Sequence, residues 1–490
     1  KRPNVLFIMA DDMRPEVKAQ VHDKSPWLEP NMHTPHLDEL AGDGVLFRRA
    51  YCQFSWCNPS RTSLLTSRRP DTTRIYDNRV FFRTVNPDFT TLPQYFKENG
   101  YTTLGFGKIF HRMRHPDTED NKYSWSEHMF VPDNDLLFPE TGPQWQAVDA
   151  AQRNGHVLLD ESVTTAAKNA LKQVAADWKE NEKNFFLAFG LRKPHLKFIF
   201  PEKYMEYYPL DDVGMPVNPT LSDSSPDIAW IKNTELHGAP EYSQFMEGLS
   251  RNNSLPYVIV RDLRRAYFSC ISYVDDLVGE ILKDLNDLGI ANDTVVSFIG
   301  DHGYHLGEHS MIGKNTAFEV ANNSPMIIRI PGVTDGGHVS DKLVEFVDLF
   351  PTLAELSNLP NVPYCPGKRN ESRGVSLCTE GTSLVPLFRD VNTTQWKDRV
   401  FYQYPHRNSV GGPFCMGYSL RTEQYRYTEW VKYKFRSWDS ADWNDVCAVE
   451  LYDHHVDPHE TNNVAADPVF LEIRQELSTK VRAGWEAALP

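Results

Sequence analysis

Four times along this chain an apolar run breaks off into charged side chains, and that recurrence constrains the fold more than any other feature. "RPNVLFIMADD" opens the sequence, and "TVVSFIGDHG" repeats the form at residues 294 to 303. "YTTLGFGKIFH" (101 to 111) and "NFFLAFGLRKPH" (184 to 195) follow it with basic groups at the end. A strand with one wet face alternates apolar and polar residues. A continuous apolar run marks a strand buried on both faces, as in a parallel sheet covered by helices. Helical periodicity lies between the runs, in "SVTTAAKNALKQVAADWKEN" (162 to 181) and "RDLRRAYFSCISYVDDLVGEILKDLNDLGI" (261 to 290). The expected class is therefore α/β, with a large, mostly parallel central sheet flanked by helices. Ligands of open α/β sheets bind beyond the carboxyl ends of the strands, so the four polar ends converge on one crevice.

After about residue 395 the pattern changes. "VFYQYP", "MGYSLRTEQYRYTEWVKY" and "AVELYDHHVDP" are strands rich in aromatic residues with short turns, which favours antiparallel pairing, and "VFLEIRQELSTKVRAGWEAAL" closes the chain as a helix. We expect a catalytic unit over 1–395 and a smaller α+β subdomain over 396–490, preceded by an irregular stretch around 360 to 395. The 490 residues suffice for one large domain with a smaller one appended.

A net charge of −15 and a pI near 5.6 exclude a general nucleic-acid or anionic-membrane binder, because either needs a basic surface. No apolar run approaches the roughly 20 residues that cross a bilayer, and Lys1 to Asn4 lead straight into a strand, as in a mature or trimmed chain. Seven cysteines leave at least one unpaired. Five N-x-S/T sequons (Asn252, Asn292, Asn322, Asn370, Asn392), with Cys365 and Cys378 and likewise Cys415 and Cys447 spaced for local bridges, indicate a secretory route, secreted or lysosomal. Cys52 and Cys270 are buried thiols or a further bridge.

Asp11 and Asp12 are adjacent carboxylates at a strand end, and they reach one ion only if the chain turns there. Crowded acids with Asp301-His302 at the end of a second buried strand suit a hard divalent cation, Ca²⁺ or Mg²⁺. "HLGEH" (305 to 309) matches H-x-x-E-H but has no helix to align its residues, so zinc is not expected. "DHHVDPHE" (453 to 460) is expected to be a surface turn. In "SWCNPSRTSLLTSRRP" (55 to 70), Pro59 suits a helix's first turn. Cys57 then sits where unpaired backbone N–H groups favour an anion, beside the positive fork of Arg61.

"CNPSRTSLLTSR", Cys57 to Arg68, resembles the signature of the type I sulfatases, C-x-P-S-R followed by Thr-Gly-Arg, with Ser67 standing where that family usually has Gly. "RPNVLFIMADDMRP", "RRPDTTRIYD", "FKENGYTTLGFGKIFH", "LRKPH", "DHGYHLGEH" and "YSLRTEQYRYTEW" extend the likeness over most of the chain, with the iduronate-2-sulfatase branch the most similar. The resemblance implies an alkaline-phosphatase-like sandwich and a cysteine oxidised to formylglycine, whose hydrate is the nucleophile. It further implies one Ca²⁺ held by Asp11, Asp12, Asp301, His302 and the modified Cys57. Arg61 would brace the formylglycine, while Lys108, His111, His195 and Lys314 hold the sulfate and move protons, His195 protonating the leaving alcohol. A formylglycine-generating enzyme is the implied maturation partner.

Basic residues beside these segments, Arg68-Arg69, "KIFHRMRH" (108 to 115) and "LRKPHLK" (191 to 197), suggest a cationic crevice for a sulfated carbohydrate, a glycosaminoglycan or another sulfated polysaccharide. Tyr304 stands where iduronate sulfatases carry Trp, and the chain is shorter than that branch around residues 335 to 400. Both differences are expected near the pocket mouth, so 2-sulfated iduronate and other sulfated sugars both stay open. Two rival readings are a phosphomonoesterase or phosphonate hydrolase on the same scaffold, and a secreted glycan binder without catalysis.

Overall fold

The computed structural model describes all residues except 1, 24, 113–116, 133–142, 233–234, 237–238, 247, 408–413 and 435–440. Seven strands form the large sheet: β1 (Asn4–Asp11), β2 (Val45–Tyr51), β3 (Thr102–Gly107), β4 (Phe185–Pro194), β5 (Thr294–Gly300), β6 (Met326–Arg329) and β7 (His338–Glu345). Their order across the sheet is β7-β2-β6-β5-β1-β4-β3. The four strands expected from the apolar runs are the contiguous set β5-β1-β4-β3, and every pairing among them is parallel. Only β6 runs against its neighbours. This is the alkaline-phosphatase-like arrangement, and the mostly parallel sheet is as expected.

Both faces of β1 are dry, which explains its unbroken apolar sequence. Leu6, Ile8 and Ala10 pack into one core and Val5, Phe7 and Met9 into another. The first core is closed by two long helices, Leu159–Asn181 and Tyr257–Asp287, which contain the first periodic segment and the second as far as Asp287. The second is closed by Leu64 and Leu65 of α1 (Cys57–Thr66) and by Leu349, Phe350 and Leu353 of the Leu349–Leu356 helix. At roughly 1.5–3 kcal/mol for each fully buried large apolar side chain, these two layers hold the strand ends rigidly.

The C-terminal sheet is antiparallel in chain order: β8 (Arg399–Arg407), β9 (Phe414–Thr422), β10 (Tyr425–Tyr433) and β11 (Ala441–Asp453), with the helix Leu471–Ala483 against it. Cys365–Cys378 and Cys415–Cys447 are disulfides, while Cys52, Cys57 and Cys270 are free and buried. The 360–395 stretch contains two short helices, Arg369–Arg373 and Val385–Arg389, and Leu384, Leu387 and Phe388 anchor it in the second core. Among the described residues no helix is long and apolar enough to cross a membrane.

Three expectations are corrected. Asn322 cannot present a sequon on the folded surface: it is fully buried and its amide donates to the Thr316 and Phe318 carbonyls. The other four sequon asparagines are exposed. The 453 to 460 segment turns as expected, yet His454 and Glu460 point inward and join Arg421, Arg426 and Glu319 in a buried network between the two sheets. Arg68 and Arg69 do not line the crevice at the strand ends. Arg68 donates to the carbonyls of Ser372, Val375 and Cys378, and Arg69 forks onto Glu345 while also donating to Glu380, so both knit the 360–395 stretch to the body.

Candidate active site

Parallel pairing sets Ala10 of β1 beside Gly300 of β5, so Asp11-Asp12 and Asp301-His302 emerge side by side. Asp12 takes a left-handed backbone (φ 60°), which supplies the turn that two adjacent carboxylates need to reach one space. Its N–H donates to Asp301 Oδ1 at 2.8 Å. On the other side of β1, a Cβ on Gly107 (φ 74°) would lie 1.9 Å from the Gly190 carbonyl oxygen. Only glycine lets the chain turn there and deliver Lys108 to Asp11.

Cys57 is the first residue of α1, and its Sγ lies 3.4 Å from His302 Nε2 and 3.7 Å from Asp12 Oδ1. Ser60 Oγ donates to the Asp301 carbonyl at 2.5 Å. Arg61, one turn further on, donates from Nη2 to Asp11 Oδ1 at 2.9 Å and from Nε to Asp301 Oδ2 at 2.8 Å. Its fork therefore stands between two acids as well as beside Cys57. Where the helix ends, Ser67 takes the left-handed conformation (φ 54°) that glycine adopts freely. Its hydroxyl offsets the strain by donating to the Val347 carbonyl at 2.5 Å, and it pairs with Thr379 Oγ1 at 2.7 Å.

The electrostatics are unbalanced in a telling way. Burial pushes the Asp11 carboxyl up, but Lys108 and Arg61 outweigh it and hold the group well below the usual range. For Asp12 and Asp301 burial wins over Lys314, Arg61 and His302, and both carboxyls stay raised. Burial likewise pushes the Cys57 thiol far up. Raised, fully buried acids lack enough positive charge. The ligand atoms of Asp12, Cys57, Asp301 and His302 lie within 4.8 Å of one another, and those of Asp11, Asp12, Cys57 and His195 form an overlapping set. His302 Nδ1 lies 2.9 Å from the Gly303 carbonyl, the partner that assigns its proton there and leaves the Nε2 lone pair facing the cluster. The donor set is oxygen-rich and fits a hard divalent cation.

A pocket of about 310 Å³ opens beside the cluster, lined on its polar side by Lys108, His111, Arg112, Glu119, Arg192 and His195. Burial, helped by Lys108, holds His111 down to about 3, and burial raises Glu119 to about 7. His195 Nδ1 sits 2.5 Å from the Leu196 carbonyl and Nε2 3.9 Å from Asp12 Oδ2. Burial, with Lys314 and Lys108 nearby, keeps that imidazole neutral. Lys314 contacts Asp12 Oδ2 at 2.5 Å.

All ten residues singled out in the sequence thus meet at this edge of the sheet. The expected cationic crevice is narrower than its sequence suggests: Lys193 is buried and donates to the carbonyls of His195 and Lys197, so it shapes the loop rather than the pocket. Residues 113–115 lie outside the described residues. "HLGEH" makes no metal site, because Glu308 is paired with Arg14 and Arg264. Tyr304 is fully buried rather than at the mouth. Glu235, 3.1 Å from Lys314, carried no sequence signal, since it lies in a loop with neither strand-end pattern nor motif. Arg112 and Arg192 lie in the basic segments 108 to 115 and 191 to 197 marked in the sequence, though not as individual residues, and Glu119 carried no signal.

The comparisons with known proteins agree with this geometry. The profile of the Sulfatase family matches residues 3–359, and that of the N-sulphoglucosamine sulphohydrolase C-terminal family matches residues 307–486. The chain is 34% identical to human (Homo sapiens) iduronate 2-sulfatase and 33% identical to that of mouse (Mus musculus), each alignment covering 95% of this chain and 91% of the relative. Among solved structures, the phosphonate monoester hydrolase of Silicibacter pomeroyi superposes with a TM-score of 0.74 over 100% of this chain and 96% of that one, at 20% identity, a likeness of fold alone. A sequence match over most of the length, with a cysteine-headed helix beside clustered acids, leaves one assignment: the chain belongs to the sulfatase family and is a sulfuric ester hydrolase.

Proposed function

We propose that this enzyme removes sulfate from sulfated carbohydrates, with 2-O-sulfated uronate units of glycosaminoglycans as the leading substrate class, and that Cys57 acts as formylglycine with Ca²⁺ beside it. The observation that carries this is the seating of Cys57 Sγ within 3.7 Å of both Asp12 and His302 at the head of a helix. The similarity to the two iduronate 2-sulfatases supports the substrate class. Asp11, Asp12, Asp301, His302 and residue 57 would hold the ion, which supplies Lewis-acid charge. An aldehyde hydrate at residue 57 would supply one hydroxyl to attack sulfur and a second to release the bound sulfate.

The chain's own residues do the rest. Arg61 fixes Asp11 and Asp301 and, with the helix N-terminus, favours an anion next to residue 57. Lys108, paired with Asp11, and Lys314, paired with Asp12, hold the sulfate oxygens, and His111 adds a neutral polar contact. His195 keeps Nδ1–H on the Leu196 carbonyl, so its Nε2 is the atom that takes a proton when an anion binds and passes it to the departing alkoxide. Arg112 and Arg192 in the pocket suit a second anionic group, such as a uronate carboxylate.

In this reading residues 1–395 form the catalytic unit and 396–490 the subdomain that closes it. Two disulfides and four exposed sequons support maturation in the secretory pathway, with a formylglycine-generating enzyme as partner and a secreted or lysosomal destination. The test is the mass of the peptide containing residue 57, paired with a desulfation panel. Formylglycine at that position together with release of sulfate from 2-O-sulfated uronates supports the proposal. An active enzyme with unmodified Cys57, or faster hydrolysis of phosphonate or phosphate esters, overturns it.

A further inference from the structure

Lys314 has two carboxylates, and only one belongs to the ion cluster. Its Nζ lies 2.5 Å from Asp12 Oδ2 and 3.1 Å from Glu235 Oε1. The second oxygen of Glu235 accepts a 2.7 Å hydrogen bond from Tyr304 Oη. Tyr304 cannot swing: it is fully buried, stacked on Tyr267 at 5.6 Å and 17°, and edge-on to Phe198 at 6.4 Å. The Tyr267 hydroxyl in turn donates to the Asp12 carbonyl at 2.6 Å. Gly313 lies against the Glu235 side chain and takes a backbone (φ 134°) that glycine adopts freely.

We propose that Glu235 is a positioning residue which Tyr304 aims and which fixes the ammonium of Lys314 for the reaction at sulfur. The inference rests on the sulfatase reading of the site. An Asp12 oxygen given to a cation no longer anchors Lys314, and Glu235 is then the carboxylate that keeps its direction. An ammonium has three donors, so with one on Glu235 the others face Asp12 and the incoming sulfate. The arrangement also weakens ground-state attraction, because a negative charge stands beside the sulfate-binding cation. Orientation for the transition state is gained while affinity for the free anion is lost.

That trade gives an unusual signature. Calorimetric titration of inorganic sulfate into the calcium-loaded enzyme, with kcat and KM on a sulfated sugar, is compared for wild type, Glu235→Gln and Tyr304→Phe. Glu235→Gln is expected to bind sulfate about 5-fold more tightly and to lose about 10-fold in kcat. Tyr304→Phe keeps the charge, so sulfate affinity stays within about twofold while kcat falls about 5-fold. Glu235→Asp, which keeps the charge but is shorter, recovers wild-type sulfate affinity without recovering kcat. The proposal is overturned if both first variants keep wild-type kcat, or if sulfate affinity, kcat and melting temperature fall together, as a merely structural role requires. A wild type that binds sulfate but hydrolyses no sulfate ester refutes the reading of the site, while kcat losses confined to the variants leave that reading standing.

Discussion

Two parts of this molecule bury charge densely, and they handle it in opposite ways. At the strand ends, Asp12 and Asp301 stay raised because burial outweighs the cations around them. In the seam between the two sheets, Arg426 binds Glu460 at 2.6 Å and Glu450 at 3.2 Å, and Arg421 binds Glu319 at 3.1 Å. There burial is outweighed: Arg421 holds Glu319 below the ordinary range, and Arg426 does so for Glu460. The seam is complete in itself. The strand-end cluster is short of positive charge and sits beside a pocket. Dense buried ionic groups are therefore not a mark of function; an unpaired remainder facing a pocket is.

The contrast breaks most visibly at Cys57. Cys57→Ala is expected to lower desulfation on the order of 10⁵-fold or more while the melting curve stays near wild type, measured on one preparation. If the protein unfolds instead, the cluster is a structural core after all. The seam should answer in the reverse sense. Arg426→Met strands Glu460 and Glu450, and the urea midpoint should report a loss of about 3–5 kcal/mol, with activity per folded molecule preserved.

Calcium sharpens the difference. At 100 times its dissociation constant the ion should add about 2.7 kcal/mol to wild type, read as a rise in melting temperature, and Asp301→Asn should abolish that rise. Arg426→Met should keep it. A pH-dependent effect concerns Glu345, which binds Arg69 at 2.7 Å and Lys397 at 2.9 Å. Burial works against its charge, but Arg69 and Lys397 hold the carboxyl down at about 2. A depressed carboxylate stabilises the fold fully above the ordinary Glu range and loses that contribution as pH falls toward about 2. Glu345→Gln should therefore be less stable than wild type at neutral pH, the gap closing on acidification, as denaturant midpoints measured across pH would show.

The legible parts of the sequence were those where one physical demand dominates. Strands dry on both faces must be apolar throughout, so β1, β3, β4 and β5 announced themselves, and their polar ends named Asp11, Lys108, His195 and Asp301. Cys57 was legible because helix capping and a short motif coincide. The seam was not: His454 and Glu460 lie in a turn-forming segment, and only contacts with Arg421 and Arg426, more than 25 residues away in sequence, pull them inward. Arg68, Arg69 and Lys193 misled for a related reason. A run of cations is the same on paper whether it meets solvent or backbone carbonyls. Glu235 is illegible in principle, since its position depends on a loop folding over Gly313.

The burial of Cys57 also sets an order of events in the life of the chain. The residue is buried in the first turn of α1, with Asp12 and His302 beside its sulfur. If residue 57 is modified as proposed, the helical, buried segment from Cys57 to Arg61 of the finished protein does not present it to a modifying enzyme. On that proposal the modification precedes the folding of α1, and a molecule that folds first stays unmodified. A cell making this protein faster than its modifying enzyme can work would accumulate correctly folded, disulfide-bonded chains with no activity, a defect of timing that no measurement of stability would detect.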